Sequence, residues 1–123
     1  MTPKFVRIQG RELAYRTGKP VGVFALAWRL IRDGVFDERE TEIFNDIERW
    51  FNENLPDPPF YADENPGKPI TYFKTATTAH MLDELAPILE LFDQHGCAYD
   101  VVYTNFVGRI VYEDAYQVAV YAE

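Results

Sequence analysis

A short apolar–polar run over residues 4–9, with Phe5, Val6 and Ile8, predicts a first strand. Residues 10–18 read as a loop or as an extension of that strand, made positive by Arg11 and Arg16, with Lys19 just beyond. Pro20 suits the first turn of a helix, where its missing N–H would be unpaired in any case. Over 21–32 the apolar residues cover nearly the whole circumference: Val21, Phe24, Trp28 and Ile31 on one side, Val23, Leu26 and Leu30 on the other. A helix of that kind belongs at the centre of the core, and Gly34 ends it.

The next helix has the plainest signature in the chain. Asp37 with Glu40 three residues on has the spacing of a capping box. Ile43, Phe44, Ile47, Trp50, Phe51 and Leu55 then fall on one stripe, opposite Glu42, Asn45, Asp46, Glu48, Arg49, Asn52 and Glu53. The short link between the two helices predicts an antiparallel helical hairpin. Residues 56–69 hold five Pro and one Gly, a density that rules out regular structure and marks a connector or a functional loop.

Residues 70–74 predict a second strand, and Thr77 or Thr78 caps a third helix with the stripe Met81, Leu82, Leu85, Ile88, Leu89 and Phe92. Pro87 lies inside this helix and is expected to kink or divide it, and Gly96 to end it. Residues 98–104 give a third strand. Residues 109–113 and 116–122 form a terminal hairpin about a turn at 113–115, where Asp114 favours local backbone bonding. The order is β-α-α-β-α-β-β-β, an α+β fold in one domain over residues 1–123. Residues 70–104 form a β-α-β unit with a default parallel crossover, so a mixed sheet is expected, with the helical hairpin and third helix packed on it. The last strand, over 116–122, is read as an edge available for pairing in a homodimer.

Charge narrows the partners. The net charge is −8, distributed unevenly. Residues 1–36 hold seven Lys and Arg against two acids, and residues 37–66 hold ten acids against two Arg. Such an acidic surface opposes nucleic acid, so a nucleic-acid interface built on Arg7, Arg11, Arg16 and Lys19 ranks last. A lone Cys97 cannot form an internal disulfide, and no stretch approaches the ~20 apolar residues of a membrane span. Both point to a cytoplasmic protein with no membrane partner.

Chemistry is sparsely signalled. Gly18-Lys19 lacks the glycine five residues earlier and the hydroxyl residue after it that a phosphate loop requires, and the chain has no serine. Cys97, His80 and His95 are too few for a zinc site, so neither metal nor cofactor is expected. One constellation points to a binding protein or enzyme for a small molecule or an anion such as phosphate or a nucleotide: Lys74 at the end of its strand, Thr77, Thr78 and His80 at the following helix N-terminus, and Tyr112. The competing and preferred reading is a protein-interaction module without catalytic activity. Its partner would meet the acidic face of Glu42, Asp46, Glu48 and Glu53 together with Phe60 and Tyr61 of the proline-rich loop.

The strings WFNENLPDPP at 50–59, ITYFK at 70–74 and VYEDAYQV at 111–118 resemble a set of small bacterial proteins of unknown function. In that set a Trp-Phe…Leu-Pro-x-Pro element precedes a Tyr-Phe-Lys or Trp-Phe-Lys strand and a Tyr-Glu-Asp…Gln-Val hairpin. The resemblance spans about residues 50–120 and implies a bacterial cytosolic protein. It brings no activity, ligand or catalytic residue with it.

Overall fold

A computed structural model describes residues 3–13, 20–55 and 70–121. The elements run β1 (Phe5–Leu13), β2 (Pro20–Gly22), α1 (Val23–Arg32), α2 (Glu38–Asn54), β3 (Ile70–Lys74), α3 (Ala79–Gln94), β4 (Tyr99–Thr104), β5 (Arg109–Glu113) and β6 (Gln117–Tyr121). The fold is α+β, with the expected element order plus one added strand, β2.

Strand β1 organises the sheet. β4 pairs with six consecutive residues of β1, Phe5 to Gly10, and so occupies one of its edges. β3 pairs with Phe5 and Val6, and β2 with Gln9 and Leu13, so both must use the opposite edge. β6 follows β3, and β5 follows β6. Each of these pairings is antiparallel, which corrects the expected mixed sheet. β3 and β4 do run in the same direction, but β1 lies between them as the antiparallel partner of both. The crossover through α3 therefore skips a strand.

The two strands sharing an edge of β1 part company between Val6 and Gln9, and Arg7 fills the fork. Its guanidinium donates to the carbonyls of Thr71 on β3 and Pro20 on β2, each at 2.9 Å, and to Gln9 Oε1 at 3.2 Å. The Tyr72 ring lies 6.0 Å away. Arg7 is buried, and its alternation with Val6 and Ile8 puts it on the sheet face opposite the helices. The reading of Arg7 as a nucleic-acid contact is thereby corrected: a planar fork of donors is committed to two strand carbonyls.

On the other face Val6, Ile8 and Phe73 join Val23, Leu26, Phe44, Phe51, Leu85, Ile88 and Phe92 in the main core. α1 approaches β1 closely at Gly10, where an added Cβ would lie 3.0 Å from a Leu26 methyl and 3.1 Å from Val21. Two expectations for this region fail. Pro20 pairs with β1 as the start of a three-residue strand instead of opening the helix, since its missing N–H is tolerated at a sheet margin. Trp28 is exposed, because the sheet covers only one side of α1 and an all-round apolar helix still turns one side outward.

The capping box forms as predicted: Asp37 Oδ1 accepts from the Glu40 N–H at 2.8 Å, and Glu40 Oε1 accepts from the Asp37 N–H at 2.9 Å. The other oxygen of Glu40 is 2.6 Å from His95 Nε2, which ties the start of α2 to the end of α3. The Asp37 N–H foremost, with His95 beside it, holds the Glu40 carboxyl below its ordinary range. α3 passes Pro87 as one continuous helix. Pro87 and Asp83, four residues before it, are both exposed, so water can take up the carbonyl that the ring leaves unbonded.

A second, smaller core lies on the opposite face. β4 and β5 occupy opposite margins of the order β4-β1-β3-β6-β5, yet only residues 105–108 join them. A flat sheet would hold those margins about 19 Å apart across four strand spacings. It would also place Thr104 and Arg109 at opposite ends, since Thr104 is level with Phe5 and Arg109 with Tyr121. Five residue steps reach at most about 18 Å. The sheet must therefore curl, and the connection crosses its concave face, with Val107 packed on Val118 and Val120 among Phe5, Ile70 and Tyr72.

Replacing Arg7 by Lys should cost about 1–3 kcal/mol, because a point charge cannot satisfy both strand carbonyls. Urea unfolding should show a lower midpoint at an unchanged slope, and Arg7→Met a larger loss.

Candidate functional site

The β3–α3 turn, singled out for anion binding, docks against the β5–β6 turn. Lys74 Nζ forms an ion pair with Glu113 Oε2 at 2.5 Å, and the Lys74 N–H donates to the Tyr116 carbonyl at 2.7 Å. Thr77 Oγ1 donates to the Ala115 carbonyl at 2.6 Å. Thr78 stands at the N-cap position, but its hydroxyl donates to the Lys74 carbonyl at 2.7 Å and makes no cap bond. His80 is exposed, its ring edge-on to Trp50 at 6.0 Å. The structure thus brings Lys74, Thr77 and Thr78 together and turns their polar groups toward the protein.

Tyr112 belongs to the facing turn, where its hydroxyl donates to Asp114 Oδ2 at 2.9 Å. Asp114 also accepts from the Tyr116 N–H at 2.8 Å, the Gln117 N–H at 3.0 Å and the Gln117 side-chain amide at 3.0 Å. Burial pushes its carboxyl up. The donors from Tyr116, Gln117 and Tyr112 outweigh that and leave it below the ordinary 3.8. Bonding to Asp114, and then burial, pushes the Tyr112 hydroxyl above its ordinary 10. This is the local backbone bonding expected of an Asp in that turn, extended to two side chains.

Glu42, Asp46, Glu48 and Glu53 are exposed on α2. At 100° per residue Glu42, Asp46 and Glu53 share one line, while Glu48 lies well round the helix from them. Arg49 falls on the same line and pairs with Asp46 at 3.3 Å, so the face is acidic but interrupted. Phe60 and Tyr61, with Arg16 and Lys19, lie outside the described residues. Cys97 is partly buried, and burial raises its thiol above the ordinary value. Among the described residues no three His, Cys, Asp or Glu side chains are grouped to hold a metal ion, and no helix is long and apolar enough to cross a membrane.

The margin at β4 is a further surface feature, outside the residues expected to form a site. The expected edge, β6, is bonded on both sides, to β3 and to β5. β4 pairs with β1 alone among the described strands. Its side chains on the helix-side face are partly uncovered: Val101 is 43% exposed and Tyr103 54%, with Phe106 just beyond at 88%. Sheet margins are usually guarded by charge, proline, shortness or a bulge. β2 is three residues long and begins with Pro20, whereas β5 has an irregular register and exposed Arg109 and Glu113. β4 has an unbroken six-pair register, and residues 101–108 carry neither charge nor proline. That uncharged stretch was the available signal; the strand's position at the margin was not.

In comparisons with protein-family models, with curated proteins and with solved structures, the chain matches none.

Because the Asp114 carboxyl is held low, its contribution to stability is complete above pH about 4 and is lost as pH falls through its folded value. The variant Asp114→Asn should be less stable at neutral pH and should show a shallower loss of stability between pH 4 and 2, read as urea midpoints across that range.

Proposed function

We propose that this chain is a protein-interaction module that takes up a partner strand along β4, in a bacterial cytoplasm. The observation that carries this reading is the β4 margin: a regular six-pair register with β1, Val101, Tyr103 and Phe106 turned outward, and no charge on the strand after Asp100, which is paired with Arg11. Strand addition supplies main-chain hydrogen bonds along the free edge, while alternate side chains supply selectivity. Val101 and Tyr103, on one face of β4, form that alternate set. The acidic line of Glu42, Asp46 and Glu53 on α2 favours partners of opposite charge during encounter, without taking part in the strand contact. The lone cysteine and the resemblance over residues 50–120 support the bacterial cytoplasm.

The test is affinity capture at low salt with the natural chain and with Tyr103→Lys as parallel baits, with an untagged copy of the chain among the prey. The substitution places a charge on the exposed strand without disturbing the core. A protein retained by the natural chain and lost with Tyr103→Lys is the expected result. Retention of the same proteins by both baits would show that β4 is not the binding edge.

A further inference from the structure

We draw no further inference here: the strongest candidate, the apolar margin of β4 at Val101 and Tyr103 as a pairing edge for one named occupant, belongs to the site already described, and nothing in the structure shows what covers it.

Discussion

The guanidinium of Arg7 is the contact on which the arrangement of strands depends. Two strands can share one edge of β1 only if the backbone groups exposed where they diverge find partners, since an unbonded buried carbonyl costs about 1–3 kcal/mol. Arg7 supplies two donors from one rigid plane, to Thr71 on β3 and Pro20 on β2. With that edge divided between β2 and β3, the opposite edge of β1 is left for β4. The crossover through α3 must then carry the chain past β1, and the sheet becomes antiparallel throughout.

Curling follows from the same allocation. Once β4 and β5 stand at opposite margins, a four-residue connection can join them only across a strongly bent sheet. The bend creates the concave pocket that Val107 fills. Polar groups are drawn into fixing the bend. Lys74 and Thr77 couple the β3–α3 turn, which Thr78 braces through the Lys74 carbonyl, to the turn that Asp114 organises, and Lys4 N–H bonds Asn105 Oδ1 at the start of the crossing. Residues of a type suited to holding an anion thus serve as joints between two turns, and the outward-facing apolar surface gathers at β4.

How much of this could be read beforehand depends on the range of the interaction. The capping box of Asp37 and Glu40, the buried stripe of α2, the bounds of β3 and β5 and the Asp114 turn were all legible, because each rests on contacts within about four residues. Pro20, Trp28 and the last strand were misread. Pro20 is locally suited to a helix start, but pairing with β1 decides its conformation. Trp28 matches an apolar helix, but burial depends on which side meets the sheet. The strand 117–121 ends the described chain, yet lies inside the sheet.

The sequence by itself determined α2 with its capping box, the bounds of β3 and β5, and that residues 101–108 carry no charge. These are properties of neighbouring residues and their periodicity. Only the tertiary structure decided that Arg7 is a buried clasp rather than a surface cation, that the Thr77 and Thr78 hydroxyls face carbonyls of their own chain, and that β4 pairs with β1 alone among the described strands. Each of those depends on which strands become neighbours. That choice is made by contacts between residues far apart in the chain, such as Phe5 with Thr104 and Thr77 with Ala115, which no local pattern encodes.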